Sequence, residues 1–159
     1  MHDTQGLPMA GATCPGDAPR AVTPYEETRL AHAGCMVCGD GGPGAPAFAL
    51  RFVADPAGGV LATFRTARRY QGYQGILHGG VISTLLDAAM VHCLFARGVT
   101  AVTAEMTVRF LREVPVDRDI SVGATLVGER HGVFQVTASL WHRTTRFAVA
   151  KGKFCRSVR

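Results

Sequence analysis

The chain has 159 residues, a formal net charge of +5 and an isoelectric point near 9.3, with 47% of its residues hydrophobic. That length suits one domain with one core. Its apolar runs are too short to cross a bilayer, and no dense basic stripe with interleaved aromatics marks a nucleic-acid binder, so neither a membrane nor a nucleic acid is an expected partner. The basic residues fall in small groups instead, Arg65, Arg68 and Arg69, then Lys151, Lys153, Arg156 and Arg159, which fit a small phosphorylated ligand or a solvated surface.

The first twenty residues, MHDTQGLPMAGATCPGDAPR, carry neither a signal-peptide nor an import-peptide pattern. Cysteines at 14, 35, 38, 93 and 155 are odd in number and scattered, which excludes a disulfide framework and fits a reducing compartment. The expected location is the cytoplasm. Residues 1–46 are rich in Gly, Pro and Ala and read as an N-terminal arm, largely loop, with a short helix near 24–33; residues 47–156 read as the folded domain.

From residue 47 the pattern changes. AFALRFVAD and GVLATFRTA are strand-prone runs joined by the turn chemistry of DPAGG at 55–59, which predicts a hairpin. Residues 79–96 then place Val81, Ile82, Leu85, Leu86, Ala89, Met90, Cys93 and Leu94 at helical spacing, with Gly98 as a stop, and so much apolar surface predicts a buried helix. In VTAEMTVRFLREV, Val102, Ala104, Met106, Val108 and Phe110 alternate with Thr103, Glu105, Thr107 and Arg109, the pattern of a half-buried strand. Three more alternating runs, ISVGATLVGER, GVFQVTASLWHR and RFAVAKGKFCR, are separated by short turns such as His131-Gly132 and predict a meander. The expected fold is α+β, an antiparallel sheet of five to six strands wrapped around one long central helix.

The stretch HGGVISTLLDAAM carries the chemistry. A helix N-terminus presents unpaired N–H groups and the positive end of the dipole, and glycine lets a ligand approach that backbone closely, so Gly79 and Gly80 are placed to polarise a carbonyl. Asp87 shares a helical face with Gly80, Ser83 and Thr84, the narrow strip not filled by large apolar groups. A carboxylate that persists among apolar neighbours costs several kcal/mol unless paired, which marks it as functional or as half of an ion pair with Arg109. Gly79 and Asp87 are eight residues apart, about 12 Å along a helix, whereas reacting atoms must come within about 3–3.5 Å. A symmetric dimer, with the glycine amides of one subunit facing the aspartate of the other, solves this with two sites per dimer.

HGGVISTLLDAAM followed by VTAEMTVRFLREVPV resembles the hotdog-fold thioesterases of the PaaI-like type, over roughly residues 35–156, including CMVCG and YQGYQGILHGG upstream. The resemblance implies hydrolysis of an acyl-CoA without a cofactor, in a homodimer, with a homotetramer built as a dimer of dimers as the alternative assembly. It gives Asp87 the role of general base or nucleophile, Gly79 and Gly80 that of carbonyl donors, and Thr103 that of the hydroxyl that orients water. His78 matches the motif histidine and is expected to shape the glycine turn. The position six before it, often Asn in better-known relatives and able to bond the thioester carbonyl, is Gly72 here, with Gln71 and Gln74 as substitutes. Where many subgroup members carry LLDE, this chain has Ala88 after the aspartate. Arg68 and Arg69, with the C-terminal basic group, are expected at the rim as CoA-phosphate ligands, and the helix and strands as walls of an acyl tunnel. Two competing readings are a non-catalytic acyl-CoA-binding hotdog protein and a hotdog hydratase or dehydratase. Cys35 and Cys38 have the spacing of a metal knuckle, but no second pair follows, and with only His32 and Cys14 nearby no metal is expected.

Overall fold

The computed structural model describes residues 23–30, 32–39 and 48–157. Expectations for 1–22, 31, 40–47 and 158–159, Cys14 and Arg159 among them, lie outside them. Helix α1 spans Pro24–Leu30, followed by strands β1 (Val53–Ala54) and β2 (Gly59–Arg65), the long helix α2 (Gly79–Phe95), and strands β3 (Ala101–Phe110), β4 (Asp119–Arg130), β5 (Val133–His142) and β6 (Thr145–Arg156). All strand pairings are antiparallel, in one six-stranded sheet of order β1-β2-β4-β5-β6-β3.

Alternation decides which face of the sheet is covered. Val60, Ala62 and Phe64 of β2, Ile120, Val122 and Ala124 of β4, Phe134, Val136, Ala138 and Leu140 of β5, and Ala148, Ala150 and Phe154 of β6 are all buried. Helix α2 packs on that face, touching β2 through β6. It comes very close at Gly152, where a Cβ would lie 3.0 Å from Met90 Sδ and 2.6 Å from the Phe154 ring. The tight β4–β5 turn has His131 at φ 52° and Gly132 at φ 77°, the left-handed pair that a two-residue hairpin of this twist requires.

Two strand expectations are corrected. The run from 47 pairs only through Val53 and Ala54, because the chain before it turns to the arm: the Leu50 N–H donates to Val37 O at 2.9 Å, and Leu50 and Phe52 are buried there. Strand β3 is mostly exposed rather than half-buried, since among the described residues it is the sheet's edge and only β6 flanks it.

The described part of the arm covers the second half of α2. The Tyr25 hydroxyl hydrogen-bonds His92 Nδ1 at 2.8 Å, His92 stacks on Phe52, and His32 meets the Phe95 ring edge-on at 4.8 Å. Eleven residues of α2 are buried, and what stays uncovered is the strip Gly79, Gly80, Val81, Ser83, Thr84 and Asp87. No helix of the described residues is long and apolar enough to cross a membrane.

Candidate active site

The start of α2 is built by the residues before it. A single 3-10 turn, Arg68–Tyr70, presents Tyr70 O to the His78 N–H at 2.9 Å. His78 then caps the helix, its Nδ1 accepting from the Gly80 N–H at 2.9 Å. The amides of Val81 and Ile82 both donate to His78 O, at 3.0 and 3.2 Å. Of the four amides a helix start leaves open, only that of Gly79 has no acceptor among the described residues. Gly80, expected to serve the carbonyl beside it, has its N–H committed to the cap. His78→Ala is expected to cost about 1 kcal/mol as a lost cap, a fall in Tm of about 2–4 °C for a chain of this size, measured by thermal unfolding.

Gly72 acquires a physical reason. A Cβ there would lie 3.2 Å from His78 Cδ2 and 3.3 Å from its Cα, so the space of a larger side chain is held by the capping histidine. Gln71 Oε1 accepts from the Gly75 N–H at 3.1 Å and closes its own loop, while Gln74 is exposed. The Phe110 ring stands at the open amide, 3.6 Å from where a Gly79 Cβ would be.

Two turns along the uncovered strip, Thr103 Oγ1 donates to Asp87 Oδ1 at 2.7 Å. Alternation alone puts Thr103 in one row with Glu105, Thr107 and Arg109. The β3–β6 register shifts between Thr103 and Glu105, and this irregularity turns Thr103 toward α2, on the side where Met106 and Val108 pack against the core. Arg109 stays on the outer face, lining a cavity with Thr107 and Lys151, so an Asp87–Arg109 ion pair does not form. Asp87 is half-buried rather than enclosed, and the Ser83 and Thr84 hydroxyls beside it donate to the Gly79 and Gly80 carbonyls at 3.1 and 2.9 Å. Ala88 is only 8% exposed and turned into the core, so the side chain after Asp87 does not reach the strip.

Arg68 and Arg69 are exposed in the turn before the helix start, Arg68 3.5 Å from Asp117 and Arg69 over the Tyr70 ring at 4.7 Å. Of the C-terminal basic group, Lys151 lines cavities along the sheet, Lys153 pairs with Glu105 at 2.7 Å, and Arg156 lies over Phe134. Cavities of about 660 and 360 Å³ lie along the sheet, and neither lining includes Gly79, Asp87, Thr103, Arg68 or Arg69. The apolar face of α2 is filled rather than hollow, with Leu85, Leu86 and Met90 each fully buried, so within one chain it is not the wall of a tunnel.

Residues 74–149 match the family model of the Thioesterase superfamily. The fold is the hotdog fold, a sheet wrapped on one long helix. The E. coli PaaI protein from the phenylacetic acid degradation operon superposes with a TM-score of 0.70 at 16% identity, covering 83% of this chain and 95% of its own. The smu.793 protein of Streptococcus mutans, solved bound to acetyl CoA, gives 0.63 at 20% identity over 68% of this chain and 88% of its own. A hypothetical thioesterase of Streptococcus pneumoniae, solved with coenzyme A, gives 0.62 at 17% identity over 68% and 86%. That protein was also solved as two variants, one with an aspartate and one with a threonine sixteen residues later replaced by alanine. No curated protein matches the sequence.

Proposed function

We propose that this protein hydrolyses acyl-CoA thioesters at a site shared by two copies of the chain. The observation that carries the reading is the 2.7 Å bond from Thr103 to Asp87 on the uncovered strip of α2, the same strip that begins with the open Gly79 amide. Thr103 commits its proton to one carboxylate oxygen and leaves the other to face the reacting centre, so its role in this reading is to orient Asp87. The sixteen-residue separation of Asp87 and Thr103 equals that of the aspartate and threonine replaced in the S. pneumoniae protein.

The thioester carbonyl accepts from the Gly79 N–H of one subunit, which stabilises the developing oxyanion, while Asp87 of the other subunit activates water or attacks directly. The acyl group leaves as free acid and CoA as its thiol. Arg68 and Arg69 precede Tyr70, whose carbonyl holds the His78 N–H at the helix start, and suit the CoA phosphates. The exposed edge strand β3, with Val102 59% and Phe110 54% exposed, is where a second copy adds its own β3 and brings its Asp87 opposite Gly79. That pairing also supplies the wall of the acyl site that a single chain lacks.

The test is thiol release from a panel of acyl-CoAs, followed by mixing of two inactive variants. Gly79→Val blocks approach to the amide, and Phe110 beside it is exposed enough to yield. Remixed under conditions that exchange subunits, Gly79→Val and Asp87→Asn chains form hybrids with one intact site, and about a quarter of the wild-type rate returns. Mixtures that stay inactive while hybrids form would remove the shared site. Ala88 in the core and the capped Gly80 amide favour the binder as the second reading: CoA binding without thiol release by the wild type selects it. Loss of an enoyl double bond without thiol release selects a hydratase.

A further inference from the structure

We propose that His32, Cys35 and Cys38 form a site for a soft divalent metal ion, zinc by preference, that clasps the N-terminal arm onto the second half of α2. Cys35 and Cys38 lack a second cysteine pair, which argued against a metal in the sequence. The third donor comes instead from His32, three residues before Cys35 in the turn that leaves α1, so that three donors fall within seven residues.

The geometry is close to that of a filled site. Among the described residues, the donor atoms of His32, Cys35 and Cys38 lie within 4.8 Å of one another. His32 Nδ1 is 3.9 Å from Cys38 Sγ. Zinc at about 2.0–2.1 Å from nitrogen and about 2.3 Å from sulfur, with tetrahedral angles, sets that edge at roughly 3.6 Å. That edge closes with a few tenths of an ångström of side-chain rotation, and the others, none longer than 4.8 Å, with up to about 1 Å.

The turn is also held in the shape that such donors need. The Val37 N–H donates to Cys35 Sγ at 3.4 Å, a backbone bond that fixes the direction of the sulfur. Gly39 N–H donates to Cys35 O at 2.9 Å, and a Cβ at Gly39 would lie 2.5 Å from Ala33 O and 2.6 Å from Cys35 O, so only glycine lets the chain fold back behind the second cysteine. From outside the turn, Arg51 donates to Cys38 O at 2.8 Å and to Gly39 O at 3.2 Å. The backbone of the donors is therefore tied to the hotdog core and ordered before any ion arrives, which lowers the entropy cost of binding.

Charge balance favours an ion here. Burial pushes the Cys38 thiol up to about 12, with the neighbouring Cys35 adding to it, and burial also lowers His32, whose neutral imidazole is the form that binds metal. Binding of one zinc expels the two thiol protons, giving two thiolates and one neutral imidazole on a dication, a complex of zero net charge suited to a partly dry site. One tetrahedral position is left for water or a further donor. Because the His32 ring rests on the fully buried Phe95 of α2, an ion held there joins the arm to the helix that carries Asp87.

The test uses the full-length chain, reduced and stripped with a chelator, titrated with cobalt(II) alone and then with zinc(II). Expected are one equivalent of cobalt per chain with thiolate-to-cobalt charge-transfer absorption, its displacement by zinc, and about two protons released per zinc. Saturating zinc should raise Tm by roughly 5 °C or more. Cys35→Ser with Cys38→Ser should abolish uptake, His32→Ala should weaken it by about 10-fold or more, and Cys155→Ser, at an exposed cysteine away from the turn, should leave it unchanged. A reduced wild-type chain that takes up no stoichiometric cobalt overturns the proposal, as does equal uptake by a folded double-serine variant.

Discussion

Asp87→Asn is expected to lower kcat for acyl-CoA hydrolysis by about 10³-fold, the scale of a lost general base or nucleophile, while CoA binding stays within about threefold of wild type. The change is nearly isosteric, Asp87 is half-buried, and its one described hydrogen bond is the 2.7 Å bond from Thr103, which an asparagine oxygen also accepts. Stability should therefore hardly move, with Tm shifting by no more than about 2 °C. Thr103→Val, which removes the orienting proton, should cost about tenfold in kcat, and should cost nothing further once Asp87 is asparagine, because the two act as a unit. Thiol release at saturating substrate and a melting curve measure both effects. An asparagine variant that keeps its rate, or one that melts far below wild type with the rate lost in proportion, would give Asp87 a structural role.

The second large effect is on stability at low pH, through His92. The ring is 1% exposed, its Nε2 has no partner among the described residues, and burial, then the charges of His32, Arg29 and Arg51, push its pKa down to about 3. In the unfolded chain the ring takes a proton near pH 6.5, so between there and about pH 3 the unfolded state binds one proton that the folded state refuses. Stability is thus intact above pH 6.5 and falls as the pH drops, by about 1.4 kcal/mol per unit. At about pH 4.5 the loss reaches roughly 2–3 kcal/mol. His32, also lowered by burial, acts in the same direction. Replacing His92 by glutamine, which does not titrate and can still donate to or accept from Tyr25, should flatten the profile over that range. Denaturant midpoints at a series of pH values test it, and an unchanged acid slope in the variant would assign the dependence to other groups.

Much of the fold was legible because its signals are local. Helix α2, expected at 79–96, spans Gly79–Phe95, and the three last strands begin and end within a residue or two of their alternating runs. What escaped was set by contacts far along the chain. Phe48–Ala54 has strand composition yet mostly packs on the arm, since the Val37 carbonyl reaches Leu50 first. The exposure of β3 follows from its place at the sheet edge, which no period of two records. In the site, the residue types were readable and their wiring was not. A register shift beside Ala104 moves Thr103 from one face to the other, and alternation alone cannot show a shift that interrupts it. Likewise nothing local distinguishes the Gly80 amide from that of Gly79, because the difference lies in the rotamer of His78. His32 stands near Cys35 and Cys38 in the sequence, but that its ring turns toward them is set by the turn after α1 and by the Phe95 ring it rests on, which no local pattern records.

The strand order imposes a sequence of events in time. β3 follows α2 directly in the chain, yet among the described residues its only partner in the sheet is β6, with Thr103 held opposite Phe154. During synthesis the helix bearing Asp87 and the strand bearing Thr103 emerge early, but the strand has nothing to lie against until the β4-β5-β6 meander has been made and folded. The Thr103–Asp87 bond is therefore among the last contacts to form, and a nascent or C-terminally shortened chain that stops before Phe154 would carry both residues with no means of bringing them together.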